Sequence, residues 1–263
     1  MFNPIQPKAY TITEVRHETD IEYTFRFNTD IKVEHGQFLM LSIPKIGEVP
    51  ISVSAQGDGW LEFTIRKVGK VTDVIFSKRA GDKMFLRGAY GKGWPMEQFR
   101  NKNMIVIAGG TGVSPVRSLL NYCADNKGFV KSLYLIYGFK NSESILFRNE
   151  LEKWNKEFTT WPCLDTEEKE GWNKGFVTEF IKEIPLKDLG EDYAVCVVGP
   201  PMMMKFAGLE LLKQGFDVDK IWMSFERKMS CGIGKCGHCR IDEKYVCLDG
   251  PVFPYSVAKD LVD

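Results

Sequence analysis

The sequence predicts a β plus α/β protein: an N-terminal antiparallel β-barrel, a parallel-sheet nucleotide-binding domain, and a small C-terminal loop region built on cysteines. Three observations predict it. Residues 10–98 carry short alternating strands broken by Gly, Pro and Asp, the pattern of a small barrel. Met104–Ala108 and Tyr193–Val198 are unbroken apolar runs, as buried parallel strands are, and each leads into a glycine turn. Four of the 7 cysteines lie between Cys231 and Cys247. These changes of pattern divide the chain at 1–98, 99–223 and 224–263.

Composition narrows the classes. A length of 263 residues holds two compact domains and an appendage. The 35 basic and 35 acidic residues cancel, which argues against nucleic acid or an anionic membrane as a bulk electrostatic partner. Met1–Tyr10 has no basic and apolar leader pattern, and no apolar run approaches the roughly 20 residues of a membrane span. The expectation is a cytoplasmic protein without a membrane partner. In a reducing compartment clustered cysteines serve metal or redox chemistry more often than disulfides.

In the first segment Ile12, Val15, Ile21, Tyr23, Phe25 and Phe27 alternate with polar neighbours. Further strands are expected at Gly36–Ile43, stopped by Pro44, and at Val49–Ser54, Trp60–Arg66 and Met84–Gly88. Val71–Lys78 reads as one short helix with Thr72 near its start. The glycine-dense stretch Gly88–Pro95 reads as a turn.

In the second segment Met104–Ala108 runs into Gly109-Gly110-Thr111-Gly112-Val113-Ser114-Pro115, and Val116–Ala124 then has helical spacing. Strand, glycine loop and helix in that order are the context in which such a loop holds a nucleotide; a plain strand-to-helix turn is the alternative. The loop is not G-x-G-x-x-G. It also lacks the lysine of a triphosphate-binding loop, so nucleoside triphosphate hydrolysis is not expected. Leu133–Gly138 is a strand, Phe147–Phe158 an amphipathic helix, Glu167–Gly171 a solvated loop, and Val177–Ile184 a helix closed by Pro185. The strand Tyr193–Val198 ends at Gly199-Pro200 and the run Met202–Met204. Both glycine turns fall at the carboxyl ends of strands, where α/β sheets bind ligands. Cys123, Cys163 and Cys196 have no partner spacing and read as structural.

Cys231, Cys236 and Cys239 follow C-x4-C-x2-C, and Cys247 comes after seven intervening residues. That is the spacing of plant-type [2Fe–2S] loops. Two bridged irons need four thiolates from different directions. Gly232, Gly234 and Gly237 let the loop wrap them with positive φ angles and backbone N–H groups aimed at sulfur. Zinc also takes four cysteines, but usually from paired short spacings; disulfides are the third reading. His238 reads as a loop residue, since four thiolates suffice.

Val49-Pro50-Ile51-Ser52-Val53-Ser54 resembles the flavin strand of the ferredoxin-reductase superfamily, an Arg-x-Tyr-Ser or Arg-Pro-Ile-Ser segment, with Val49 in place of the arginine. The resemblance implies FAD lined by Pro50, Ile51, Ser52, Val53 and Ile65. Arg66, Lys67 and the backbone opening a helix at Val71 and Thr72 would then meet its phosphate. Gly110, Thr111 and Gly112 with Pro115 resemble the family's Gly-Gly-Thr-Gly-x-x-Pro loop, which implies NAD(H). Tyr137 and Gly138 stand where the family contacts ribose. Gly199 and Pro200 resemble its Cys-Gly-Pro-x-x-Met turn beside the nicotinamide, with Val198 replacing the cysteine. The whole order resembles the electron-transfer subunits of dihydroorotate dehydrogenase, the gamma subunits of sulfhydrogenases and, most closely, the electron-transfer subunits of anaerobic sulfite reductase.

That last resemblance implies an oxidoreductase subunit that takes electrons from NADH through FAD and releases them singly through a [2Fe–2S] cluster. The recipients would be an iron–sulfur carrier subunit and a sirohaem subunit that reduces sulfite to sulfide. Hydride transfer needs no acid–base dyad; none is expected, and His17 and His35 read as incidental. A self-contained flavin reductase with a structural metal, and a regulator that binds nucleotide and metal, are the rival readings.

Overall fold

The computed structural model describes residues 5–259 and 261. They form two compact units. One ends at Trp94 and takes in Glu226–Pro251; the other is Pro95–Phe225 with the residues from Val252 on.

The first unit contains β1 (Lys8–His17), β2 (Glu22–Asn28), β3 (Phe38–Ile43), β4 (Gly47–Ser52), β5 (Ala55–Gly57), β6 (Trp60–Arg66), α1 (Lys70–Ile75) and β7 (Lys83–Tyr90). The strands pair in the order β4-β3-β7-β1-β2-β6-β5, antiparallel throughout. Ile12, Phe25, Phe27, Leu39, Leu41, Phe63, Ile65, Met84 and Leu86 form its core. Each such side chain contributes about 1.5–3 kcal/mol when taken out of water. Pro50 sits on β4, the end strand of the sheet, where a missing N–H disturbs least. The helix expected to reach Lys78 stops at Ile75, and Ser77 and Lys78 donate three residues back to Val74 and Ile75 in a tighter turn.

Near the end of the barrel the Trp94 N–H donates to the His35 carbonyl at 2.6 Å. Burial in this corner brings the His35 imidazole down from 6.5 to about 4. Below pH 6.5 the unfolded chain therefore takes a proton that the folded chain refuses until about pH 4. Stability is expected to fall with acidification across that window, by about 1–2 kcal/mol between pH 6.5 and 5. Urea melts at stepped pH check this: His35→Gln should flatten the slope, and an unchanged slope would exclude His35 as its source.

The second unit contains α2 (Met96–Phe99), β8 (Asn103–Gly109), α3 (Val113–Asp125), β9 (Ser132–Phe139), α4 (Arg148–Glu157), β10 (Thr159–Leu164), β11 (Asn173–Lys174), α5 (Leu186–Leu189), β12 (Tyr193–Val198), α6 (Pro201–Lys213) and β13 (Ile221–Ser224). The chain then enters the first unit with β14 (Arg240–Ile241), β15 (Lys244–Tyr245) and α7 (Val246–Asp249), and rejoins the second with β16 (Val252–Pro254). The sheet order is β11-β10-β9-β8-β12-β13-β16. All pairs are parallel except β13 with β16. From β8 the chain steps outward to β9 and β10, then returns to the other side of β8 as β12. The order reverses between β8 and β12, the place where such sheets open a ligand crevice.

Two elements differ from expectation. The strand β10 was not foreseen, because Pro162 lies inside it and proline argues against an interior strand. It is tolerated because β11 pairs only with Cys163 and Leu164; beside Pro162 the Asn173 side chain donates to the proline carbonyl at 3.0 Å instead. The helix expected over Val177–Ile184 is a 3-10 helix spanning Val177–Glu183. Cys123, Cys163 and Cys196 are buried. Burial pushes the first two thiols up to about 12 and raises Cys196 well above the ordinary thiol value, so none is a ready nucleophile. Among the described residues no helix is long and apolar enough to cross a membrane.

Candidate functional site

Three groups of residues carry the expected chemistry. The first lies on the barrel. Pro50, Ile51 and Ser52 are half-buried along β4 and Val53 is buried just beyond it. The helix α1 packs against β3 and β4, with Val71 so close to Gly47 that a Cβ there would stand 2.9 Å from it. Ile65 is buried near the end of β6, and Arg66 and Lys67 emerge exposed beyond it. The Arg66 Nε is 3.4 Å from Glu22, and the Lys67 N–H donates to the Ile21 carbonyl at 2.8 Å. The Thr72 hydroxyl accepts from the N–H groups of Val68 and Gly69 at 2.9 and 3.0 Å and donates to the Gly69 carbonyl at 2.9 Å. Thr72 therefore shapes the turn that presents two cationic side chains, a donor set suited to a phosphate.

The second group lies at the reversal between β8 and β12. Gly110–Gly112 make one 3-10 turn between β8 and α3. Gly110 has φ +55° with open space around it, a backbone that glycine adopts without strain. Gly112 is glycine for another reason: a Cβ would lie 2.6 Å from the Gly199 Cα and 2.7 Å from the Val198 carbonyl. The two turns, Gly110–Gly112 and Gly199-Pro200, are thus packed backbone to backbone. Met203 covers both, its sulfur 2.4 Å from a Cβ built on Gly109 and 2.7 Å from one built on Gly199. Pro201 opens α6, where its missing N–H is not needed. Together these bring both strand-end turns to the start of α3, where the Val113 N–H is taken by the Gly110 carbonyl and Pro115 has none to offer.

Tyr137 and Gly138, expected at the ribose, are both buried. The Tyr137 hydroxyl donates to Asn155 at 3.0 Å, its ring packs edge-on against Trp172, and burial pushes its phenol up to about 12. A Cβ on Gly138 would stand 2.5 Å from Val177. Both support the sheet from within.

The third group is the cysteine loop, which belongs to the barrel unit. Gly232, Gly234 and Gly237 have φ +77°, +68° and +79°, as the spacing led one to expect. The hairpin β14–β15 returns the chain so that Cys247 comes beside Cys239, and the Val246 N–H reaches the Cys239 carbonyl at 3.3 Å. Backbone donors already point at sulfur: Ile233 and Lys235 N–H at Cys231, both 3.4 Å, and Gly234 N–H at Cys247, 3.1 Å. Burial would raise the Cys231 thiol, but the donors at Ile233, Lys235 and Cys236 win and hold it down to about 6. Burial and the neighbouring Cys239 thiol push Cys247 up to about 12.

Cys231 is in hydrogen-bond contact with Cys236, and Cys247 with Cys239. Two pairs are what a binuclear cluster asks for, since each iron takes two protein thiolates. Among the described residues no three His, Cys, Asp or Glu side chains are gathered into a metal-ligand group; it is the donor set, four thiols with N–H groups aimed at sulfur, that fits a [2Fe–2S] cluster.

Arg87 was not foreseen. Only 5% of its side chain is exposed, and it joins Glu48 on β4 to the carbonyls of Ser230 and Cys231. The one available signal was a charged residue in the apolar strand Met84-Phe85-Leu86-Arg87.

Residues 106–208 match the oxidoreductase NAD-binding domain family, and residues 226–257 match the iron–sulfur cluster binding domain of dihydroorotate dehydrogenase B. The sulfhydrogenase 2 gamma subunit of Pyrococcus furiosus is 38% identical over 96% of this chain and 96% of its own. A probable dihydroorotate dehydrogenase B electron transfer subunit of Thermococcus kodakarensis is 31% identical over 94% of this chain and 95% of its own. In fold, the chain is similar to one in the structure of an NADH-dependent reduced ferredoxin–NADP oxidoreductase, with a TM-score of 0.77 at 21% identity over 94% and 88% of the two chains.

Proposed function

We propose, since the chain belongs to the ferredoxin-reductase-like family of NAD-linked flavin and iron–sulfur electron-transfer subunits, that it takes electron pairs from NADH and delivers single electrons to partner subunits. Its cofactors are NAD(H), FAD and a [2Fe–2S] cluster. When bound, FAD supplies the conversion from two electrons to one and the cluster supplies the one-electron exit. The chain's own residues bind and orient. The glycine turn Gly110–Gly112 lets the dinucleotide phosphates approach the main chain, with Gly110 and Thr111 shaping the approach. Pro50–Val53 give the flavin ring a flat, half-apolar strand, and Arg66 and Lys67 offer charge to its phosphate in place of the arginine that Val49 replaces. Cys231, Cys236, Cys239 and Cys247 hold the irons, and three N–H···S contacts stabilise negative charge on sulfur. The cytoplasm is the compartment that keeps such thiols reduced before loading.

The observation that carries this reading is the four-thiol loop with donors in place, in the same unit as the barrel. For the acceptor, the relatives favour a hydrogenase-type or dihydroorotate-dehydrogenase-type partner. The motif resemblance supports an anaerobic sulfite reductase, with its iron–sulfur and sirohaem subunits. Anaerobically purified protein is expected to carry flavin and about two irons per chain, both bleached by NADH, with NADPH titrated separately. Zinc in place of iron, or iron left oxidised by NADH, would defeat the proposal. Sulfite reduction, hydrogen evolution and dihydroorotate oxidation by the co-purified complex separate the three acceptors.

A further inference from the structure

We propose that Arg87 is a positioning residue that ties the cluster loop to β4 and raises the reduction potential of the cluster; this rests on the electron-transfer reading above. All five of its N–H donors are engaged. Its Nε donates to one carboxylate oxygen of Glu48 at 2.8 Å, and one terminal nitrogen donates to the other. That same nitrogen reaches the Ser230 carbonyl at 2.6 Å. The second terminal nitrogen reaches the Cys231 carbonyl at 2.7 Å and the Tyr90 hydroxyl at 2.9 Å. Tyr90 in turn lies under the loop, 3.1 Å from a Cβ built on Gly232.

The connection runs through short bonds from end to end. Glu48 stands two residues before Pro50 on β4, the strand assigned to the flavin. Arg87 stands on β7, and Cys231 is the first cluster ligand. The guanidinium thus fixes the loop against the strand through a planar fork, which a lysine ammonium with three donors cannot reproduce. The charges are also ordered. The cation bonds the Cys231 carbonyl directly, whereas the Glu48 anion is joined to the loop through the guanidinium. Reduction adds negative charge to a cluster held here, so the nearer cation favours the reduced form, and weak screening at a buried site strengthens the effect.

The test compares the full-length chain with Arg87→Met and Glu48→Gln, all purified anaerobically, with flavin content and circular dichroism reporting folding. Two opposite shifts are expected in the cluster midpoint potential followed by electron paramagnetic resonance: Arg87→Met to more negative values, Glu48→Gln to more positive ones. A purely structural role would not produce opposite signs. Arg87→Met is also expected to lose iron to a chelator about tenfold faster, the lower end of the losses caused by removing ligand-supporting partners. Shifts of the same sign, or none in a variant that keeps its iron, overturn the proposal. Should Arg87→Met fail to fold, the sign seen with Glu48→Gln decides. A wild-type chain without iron removes the functional reading and this inference with it, whereas a wild-type chain with NADH-reducible iron and unshifted variants removes this inference alone.

Discussion

Cys247→Ser is expected to abolish onward electron transfer while NADH still reduces the flavin. Cys247 is buried, stands in contact with Cys239, and receives the Gly234 N–H at 3.1 Å. Serine offers a hard, protonated oxygen at a site shaped for thiolate, and the N–H···S contact goes with the sulfur. Removing a partner of a ligand costs about 10–100-fold in affinity or activity, so removing the ligand itself should cost at least about 100-fold. Two measurements check it. Iron per chain should collapse, and NADH-driven reduction of a one-electron protein acceptor should fall by that factor, while ferricyanide reduction continues. A variant that kept its iron and its full rate with the protein acceptor would show that Cys247 is not a ligand.

Gly112→Ala should impair nicotinamide binding and the fold of the second unit together. Its Cβ would meet backbone on every side: the Gly199 Cα at 2.6 Å, the Val198 carbonyl at 2.7 Å and the Gly199 nitrogen at 2.8 Å. No rotamer change relieves a clash with main chain, so β8 and β12 must move apart at the crevice. Overpacking of this kind costs about 1–3 kcal/mol, and the same displacement moves the start of α3 away from the phosphates. A rise in KM for NADH of about tenfold is expected, equivalent to about 1.4 kcal/mol. Gly110→Asn is the contrast. There the space is open and only the φ of +55° opposes a side chain, a strain asparagine bears well. Thermal melts and NADH titrations should separate the two, and equal effects would refute the steric explanation.

The two predictions differ in how openly the sequence announced them. The cysteine spacing and the glycines within it are local: neighbouring residues set both the ligand order and the positive φ angles, so both could be placed from the chain alone. The glycine turn after β8 is local in the same sense. Why Gly112 cannot be alanine was not legible, because the atoms in the way belong to Val198 and Gly199, on the far side of a crossover. Tyr137 and Gly138 show the same limit. Their place at the end of a strand was readable. Their depth was not, since Trp172 and Val177 from later in the chain cover them.

Arg87 is the fullest case. Apart from Tyr90, its partners lie 39 positions before it and 143 and 144 positions after it, and nothing in the local pattern joins them. Pro162 is the reverse case: local propensity argued against a strand, and pairing with β9 overrode it.

By itself the sequence determined the succession of antiparallel barrel, parallel-sheet domain and four-thiol loop, because hydrophobic period, glycine turns and ligand spacing act over a few residues. Only the tertiary structure decided that the thiol loop packs with the barrel, that an arginine and a glutamate anchor it there, and that the two glycine turns meet. Those contacts join segments distant in the chain, and they form only where burial brings charges and backbone close enough to need one another.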